Sequence, residues 1–230
     1  MGASELGFVA AMKTAHIRVA AGADIIEQDE VGGPLYTLFE GWAVRYQRLP
    51  GGARQILDIV LPGDIIGLAS ALLGTIRHSV QAITPVDLCV LSARGVADLF
   101  VRHPALALNI LQMRVEEEQR GDVRISLLGH RNAEQRIGYL LLETYDRVHQ
   151  RGLAGNGANG LTCPFPLQRR DLADAVGLSI VRVGRTLDRL RAAGLAELRR
   201  GVLVLIDRVR LAALADYRPR PIGSGRRVIL

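Results

Sequence analysis

The chain is poor in cysteine and aromatic residues and has no long hydrophobic run. Cys89 and Cys163 are its only cysteines, which fits a reducing cytoplasm. Aromatic residues make up 4%, and Pro and Gly follow no repeating period, which excludes collagen-like and low-complexity architectures. The most apolar stretch, residues 65–76, is about a dozen residues long, whereas a membrane helix needs roughly 20. The first residues lack the basic and apolar regions of a secretory signal. We therefore expect a cytoplasmic protein with no membrane partner.

Basic charge is concentrated in the last third of the chain. Residues 165–230 carry 14 arginines and 6 acidic residues, a net charge of +8, whereas residues 1–164 have a net charge of −2. Hydrophobic residues make up 49% of the 230, enough for one large or two modest domains with cores. The charge pattern favours a nucleic-acid partner for the last third, and a solvated basic face is the alternative.

The first hundred residues alternate between short apolar-patterned segments and Gly/Pro turns, as antiparallel barrels and rolls do. The turns are Gly32-Gly33-Pro34, Pro50-Gly51-Gly52 and Pro62-Gly63-Asp64. The predicted strands are Ile17 to Ala20, Asp24 to Glu27, Leu35 to Phe39, Trp42 to Leu49, Arg54 to Val60, Ser79 to Ile83 and Asp87 to Leu91.

From Val96 onward the apolar spacing becomes helical. Residues 104 to about 128 predict a long helix with two apolar faces, one of them Leu106, Ile110 and Met113 and the other Leu108, Leu111 and Val115. Two faces need two partners, so we expect the roll on one side and the same helix of a second copy on the other; a helix wrapped by its own domain is the alternative. Asn132 and Gln135 form a capping pair for a second helix, and the Gly-rich stretch 151–160 predicts a flexible loop without regular structure.

Residues 167–206 have the spacing of a winged helix-turn-helix. Gly177 tolerates a positive φ between two helices, and Ser179 is a natural N-cap for the second helix, residues 180–193. Leu172, Ala173 and Val176 form the inner stripe of the first helix, and Val183, Leu187 and Leu190 seat the second. Arg182, Arg185 and Arg189 fall on the opposite side of the second helix, and Arg199-Arg200-Gly201 forms the tip of a hairpin that could rest on phosphate. An ordinary helical hairpin with a solvated arginine face is the alternative.

Two stretches give the chain a family resemblance. They are Leu57-Asp-Ile-Val-Leu-Pro-Gly-Asp-Ile-Ile-Gly-Leu68 and Leu172-Ala-Asp-Ala-Val-Gly-Leu-Ser-Ile-Val-Arg-Val-Gly-Arg-Thr-Leu-Asp-Arg-Leu190. With the long helix between them, they resemble the Crp/Fnr family of bacterial transcription regulators over residues 17–210. The resemblance implies an α+β fold with an N-terminal antiparallel β-roll, a long central dimerisation helix and a C-terminal winged helix-turn-helix. The corresponding segments are an effector-sensing roll at 1–103, the dimerisation helix at 104–130, a helix and loop at 131–164 and the DNA-binding domain at 165–230.

The resemblance also implies a homodimer on near-palindromic double-stranded DNA, with each recognition helix in a major groove. Arg185 matches the family's guanine-reading arginine, and Val181 stands where the family often has a glutamate that accepts a bond from cytosine. The expected DNA-binding residues are Arg169, Ser179, Val181, Arg182, Gly184, Arg185, Arg189, Arg199 and Arg200. RNA polymerase is left open as a further partner.

The sensory part departs from the members that bind cyclic AMP. Leu68 and His78 stand where those members have a glutamate and an arginine, and only Ser79 is retained. Gly67, Leu68, His78 and Ser79 are therefore the expected pocket. Either it binds another small molecule, with His78 and Ser79 as polar contacts, or it binds none because the apolar residues 68–73 fill the cavity, and the second reading is slightly favoured. The family's iron–sulfur sensors need about four cysteines, mostly near the N-terminus, and this chain has none before Cys89.

Other functions have little support in the sequence. The histidines form no motif for haem or for a cupin-like metal enzyme, so we expect no catalytic residue, metal site or cofactor. A small-molecule-binding β-roll that does not bind DNA would have no use for the arginine-faced helix. Cys163 lies beside the basic domain, where positive charge could lower the pKa of its thiol and make it redox-active; an incidental small apolar residue is the alternative.

Overall fold

The computed structural model describes residues 3–92, 95–158 and 160–219, so residues 220–230 of the predicted last domain lie outside it. The chain divides into two compact units, one ending at Gly121 and one beginning at Asp122. Within the described residues, no helix is both long and apolar enough to cross a membrane.

The first unit is a roll of two four-stranded antiparallel sheets. Its strands are β1 (Lys13–Val19), β2 (Asp24–Ile26), β3 (Leu35–Glu40), β4 (Ala43–Arg48), β5 (Arg54–Val60), β6 (Ile65–Ile66), β7 (Ser79–Ala82) and β8 (Val86–Leu91). The strand orders are β1-β8-β3-β6 and β2-β7-β4-β5, and the shared core includes Leu38, Ala43, Val80 and Leu88. Each predicted strand overlaps an observed one. The two-residue β6 was not predicted, because it is too short to show alternation.

Two glycines fix the turns around the predicted motif of the roll. Gly63 has φ +90°, and its amide donates to the Leu38 carbonyl at 2.8 Å. Gly67 also has φ +90°, and a Cβ there would lie 2.7 Å from the Pro34 carbonyl oxygen. Both positions therefore require glycine.

Helices cover one part of the roll. They are α1 (Ala3–Met12), α2 (Leu68–Leu73), α3 (Gly95–Arg102) and the first part of α4 (Pro104–His130). Val9 and Met12 of α1 join a buried cluster with Leu68, Leu99 and Leu106. Helix α1 was not predicted from the sequence: seven of its ten residues are apolar, so no single apolar stripe indicates a helix, and its partners are distant segments of the chain.

The second unit holds four further helices and one antiparallel sheet. The helices are α5 (Ala133–His149), α6 (Arg169–Val176), α7 (Ile180–Ala192) and α8 (Arg208–Ala215), and the strands are β9 (Gly155–Gly157), β10 (Gly160–Pro164), β11 (Ala196–Arg199) and β12 (Val202–Leu205). The sheet order is β11-β12-β10-β9. The predicted capping pair is confirmed: Gln135 N donates to Asn132 Oδ1 at 3.0 Å, and Asn132 N donates to Gln135 Oε1 at 3.1 Å.

The prediction of a structureless loop at 151–160 is wrong. Residues 155–157 and 160–164 pair as β9 and β10, and β10 continues into a pairing with β12 of the helix-turn-helix sheet. Gly160 has φ +138°, and a Cβ there would lie 2.2 Å from the Leu205 carbonyl oxygen. This glycine allows two strands to approach each other closely. From composition alone, the glycines of this stretch had indicated a flexible loop.

One arginine joins three segments of the second unit. The Arg136 guanidinium donates to the carbonyls of Leu128 at the end of α4, Arg131 in the following turn and Val176 at the end of α6, at 2.8, 2.8 and 3.1 Å. The last turns of α4 and the first helix of the helix-turn-helix are thus bonded to a single side chain of α5.

Candidate nucleic-acid interface

The turn between α6 and α7 has the predicted geometry. Helix α6 ends at Gly177, which adopts the left-handed conformation with φ +62°. Ser179 begins α7, and its hydroxyl accepts from Arg182 N at 3.3 Å. A left-handed glycine and an N-cap only two residues apart make the turn sharp and fix the direction in which α7 leaves it.

The inner side of α7 is anchored in the core. Val183 and Leu190 are buried, as is Leu172 of α6, whereas the predicted seating residue Leu187 is only partly buried. Thr186 is also buried, and its hydroxyl donates to the Arg182 carbonyl at 2.8 Å. The helix is therefore held along its length with a defined outward face.

The outward face presents Val181, Arg182, Arg185 and Arg189, all exposed. In the part of the chain that the structure describes, neither the Arg182 nor the Arg185 guanidinium has a hydrogen-bond or ion-pair partner. Arg189 differs from them: its Nε lies 3.3 Å from Glu134 Oε1, and its Nη2 lies 3.3 Å from Thr186 Oγ1. The partner Glu134, in the first turn of α5, was not anticipated, because nothing in sequence spacing links residues 55 positions apart.

Gly184 and Arg169 lie against one another. Gly184 is buried, and a Cβ there would come 3.5 Å from Arg169 Nη1, an ordinary contact. The small residue leaves room for the exposed arginine at the first position of α6 to lie over α7. The two helices thus bring a further guanidinium toward the outward face.

The wing is a tight hairpin with a basic tip. Arg199 pairs with Val202, and the two residues between them have φ +50° at Arg200 and +78° at Gly201, as in the mirror-image turns that suit right-twisted hairpins. Arg199 and Arg200 are exposed, and Phe165 N donates to the Gly201 carbonyl at 2.7 Å. That bond fixes the tip to the segment before α6. A groove between wing and helices is lined by Arg169, Arg191, Arg199 and Arg200.

Comparisons with known proteins match both units of the chain. Residues 16–103 match the cyclic nucleotide-binding domain model, and residues 135–214 match the Crp-like helix-turn-helix domain model. The nitrogen fixation regulation protein FixK of Bradyrhizobium diazoefficiens is 31% identical over 86% of this chain and 81% of its own length. The transcriptional activatory protein AadR of Rhodopseudomonas palustris is 30% identical over 87% of this chain and 81% of its own length.

The chain belongs to the Crp/Fnr family of DNA-binding transcription regulators.

The fold of this Crp/Fnr regulator agrees with a solved relative. The structure of FixK2 from Bradyrhizobium japonicum superimposes with a TM-score of 0.76 at 26% identity, covering 87% of this chain and 96% of that chain. The predicted α+β arrangement of roll, long helix and helix-turn-helix is confirmed.

The roll of this Crp/Fnr regulator and the first part of α4 form a cavity in which paired charges lie beside apolar side chains such as Leu68 and Val80. Arg45 of β4 lies 2.5 Å from Glu117 of α4, and Arg114 contacts the same carboxylate. Arg120 pairs with Asp58 of β5 at 3.0 Å, and the side chains are only 11% and 8% exposed. This network was not predicted from the sequence, where its one signal is a run of acidic and basic residues on the helix predicted to dimerise.

Three of the four predicted pocket residues line the cavity, and one lies elsewhere. Gly67, Leu68 and His78 line the cavity, but the buried Ser79 does not: its Oγ accepts from Gln28 N at 2.9 Å. The expectation that Ser79 is a polar contact of the cavity is therefore wrong, because successive side chains of β7 alternate between faces of the sheet. Burial, with smaller contributions from Arg45 and Arg114, lowers the pKa of His78 to about 4.

The expectation that residues 68–73 fill the cavity is also wrong. Leu68 and Ser70 are buried, but Leu72 and Leu73 are 55% and 78% exposed. These residues form helix α2, so only one side of the apolar stretch turns inward. Of this stretch only Leu68 and Ala69 line the cavity, beside ion-paired side chains such as Arg45 and Glu117.

The expected reason for a reactive Cys163 is absent as well. The side chain is buried in β10, and burial raises the pKa of its thiol to about 12. The thiolate that oxidants attack is therefore scarce at neutral pH. Within the described residues, no cluster of three or more His, Cys, Asp or Glu side chains is placed to hold a metal ion.

Proposed function

We propose that this regulator binds a near-palindromic DNA site as a homodimer, with α7 of each protomer in a major groove, and that cyclic AMP is not its effector. The observation that carries the DNA contact is the pair of exposed guanidinium groups on the outward face of α7, those of Arg182 and Arg185, which have no partner among the described residues. A partner-free arginine at the N-terminal part of a recognition helix can bind the O6 and N7 atoms of guanine with both arms.

The two arginines have different roles in this proposal. Arg185, one helical turn into α7, reads guanine, and Arg182, beside the N-cap, reads a second base edge or binds phosphate. The wing arginines Arg199 and Arg200, together with Arg169, bind phosphates and position the helix without reading bases. Arg189 contributes less, since its contact with Glu134 would have to be exchanged for the contact with DNA.

Dimerisation is assigned to α4, residues 104–130. One of its faces, Leu106 and Ala107, is buried against its own unit, whereas Leu108, Leu111 and Val115 are 54%, 55% and 43% exposed along a second stripe. These side chains recur at intervals of three and four residues, as in a seam between two helices. A second copy of α4 would cover them. Cytoplasmic location and contact with RNA polymerase are parts of the same proposal.

The cavity chemistry supports independence from cyclic AMP. Leu68 cannot accept a hydrogen bond from a ribose hydroxyl, and burying that hydroxyl without a partner costs about 1–3 kcal/mol. With its lowered pKa, His78 is uncharged at neutral pH, so it cannot replace a charged arginine at the cyclic phosphate. Arg45 and Arg114 share Glu117, so a phosphate would have to displace that carboxylate.

Selection of duplexes from a random pool by the full-length protein tests the proposal. We expect a near-palindromic consensus containing guanine in each half, bound by a dimer, with an affinity that falls steeply as salt rises. Enrichment of no consensus would contradict the assigned reading face. Calorimetric titration with cyclic AMP and cyclic GMP, beside operator binding with and without each, tests the second part: micromolar binding or a tenfold rise in DNA affinity would contradict it.

A further inference from the structure

The outward face of the recognition helix carries one apolar side chain in the described structure, Val181. It is 63% exposed and is the second residue of α7. At 100° per residue, Val181 lies about 40° from Arg185 around the helix axis. Ile180, the other exposed apolar residue of the first turn, lies within about 20° of the partly buried Leu187 and so belongs to the inner side.

Single exposed apolar side chains are common on protein surfaces and usually need no explanation. Val181 is not isolated, however, because it lies about 40° from Arg185 around the helix axis and directly precedes Arg182 in the chain, and neither arginine has a protein partner in the described residues. If those guanidinium groups enter the groove, the valine beside Arg185 enters as well and loses its water. The base pair that it meets must then accept an apolar group.

The major-groove edges of the bases differ in this respect. Cytosine presents an N4 amino donor and guanine presents two acceptors, and covering them with valine leaves those polar atoms desolvated without a partner. Thymine presents a C5 methyl group, which gains from an apolar contact. Valine suits this contact, since its branched Cβ confines the side chain to one main rotamer in a helix.

We propose that Val181 reads a thymine methyl group in each half-site and so sets a preference for a T·A pair beside the guanine read by Arg185. This inference rests on the proposed placement of α7 in the major groove. It assigns the specificity of one further base pair to a residue that makes no hydrogen bond with its side chain.

Removing single methyl groups from the DNA tests the contact directly. In the selected operator, each thymine is replaced in turn by deoxyuridine, which lacks only the C5 methyl, and the affinity of the full-length protein is measured by fluorescence anisotropy. We expect one thymine per half-site at which the loss weakens binding about fourfold, the size of one buried methyl group, with smaller effects at the other thymines.

Three variants show whether Val181 makes the contact. With Val181→Ala, which removes both γ-methyl groups, we expect the difference in affinity between thymine and deoxyuridine at that position to shrink markedly, and with Val181→Thr, which keeps one γ-methyl, to shrink less, while the guanine preference persists. With Val181→Glu, we expect the preference to move from T·A toward C·G, because the carboxylate accepts from cytosine N4. Thermal unfolding of each variant shows whether the domain is intact.

The outcomes separate the two proposals. If no consensus is selected, the placement of α7 in the groove fails. If a guanine-containing consensus is selected but no thymine is sensitive to deoxyuridine, or if Val181→Ala retains the full methyl effect, the assignment to Val181 fails while the placement of α7 stands.

Discussion

The roll cavity and the recognition helix use arginine in opposite ways. In the cavity, Arg45 and Arg120, whose side chains are 21% and 11% exposed, are paired with the carboxylates of Glu117 and Asp58. On α7, Arg182 and Arg185 are exposed and, within the described residues, have no partner. The two groups are chemically alike, so the difference comes from their surroundings.

The difference shows how burial determines what a charge can do. A guanidinium withdrawn from water needs a carboxylate close by, and once paired it has little left to offer a ligand. An exposed guanidinium keeps its hydration at little cost and can exchange that water for a phosphate or a base edge. The cavity thus uses Arg45 and Arg120 for internal cohesion, and α7 keeps Arg182 and Arg185 available for binding.

Breaking the buried pair is expected to give the largest effect. Arg120→Ala removes the guanidinium that lies 3.0 Å from the buried Asp58 carboxylate, which costs about 3–5 kcal/mol in the free energy of unfolding. Urea denaturation measures the loss. The control is Arg77→Ala, which removes a 3.2 Å pair with Asp29 whose side chains are 84% and 58% exposed, and it should cost less than about 1 kcal/mol. Equal losses for the two variants would show that burial does not distinguish these pairs.

Removing an exposed arginine should affect binding and leave folding intact. Arg185→Ala is expected to cost about 1–3 kcal/mol in binding the selected operator and to flatten discrimination at one base pair per half-site, while the melting temperature stays within a degree or two of the parent. Anisotropy titrations with single-base operator variants measure both effects. A variant that keeps the parent's affinity and base preference would show that another residue reads the guanine.

The cavity should also respond to acid through His78. Its pKa is about 6.5 in the unfolded chain and about 4 in the fold, so the fold favours the neutral ring. The resulting stability is present above pH 6.5 and is lost as the pH falls toward 4. Because the side chain keeps some contact with solvent, we expect a loss of about 1–2 kcal/mol relative to His78→Gln. Urea titrations at a series of pH values compare the two proteins, and parallel pH profiles would be evidence against a buried neutral histidine.

The wing should give the smallest effect and one of a different kind. Arg200→Ala is expected to weaken binding to the operator and to unrelated duplexes by the same factor, and to reduce the salt slope by about 1 for each bound protomer, since a phosphate contact carries no base information. Titrations at several salt concentrations on both duplexes measure this. A loss confined to the operator would instead assign Arg200 to base reading.

The sequence predicted best what depends on neighbours along the chain. The Asn132–Gln135 capping pair, the left-handed Gly177 and the Ser179 cap all occur as expected, because each is decided within a few residues. The outward direction of Arg182 and Arg185 followed from helical periodicity alone.

The features that the sequence did not predict depend on contacts between residues far apart in the chain. The contact between Glu134 and Arg189 joins two helices, and the pair of Arg120 with Asp58 joins a helix to a strand 62 residues earlier. Gly160 suggested flexibility in the sequence, whereas its role is to let β10 approach Leu205. Charge and composition did not reveal whether Cys163 lies in a basic surface or in a core.

The three bonds of Arg136 have a mechanical consequence. This side chain is hydrogen-bonded both to Leu128 at the end of α4 and to Val176 at the end of α6, so the last turn of the long helix is coupled to the first helix of the helix-turn-helix. We expect a rotation of those last turns to move α6 and, through the short turn that follows it, the recognition helix α7. A regulatory rotation that starts in this part of α4 would therefore change the angle at which both guanidinium groups of α7 meet the groove.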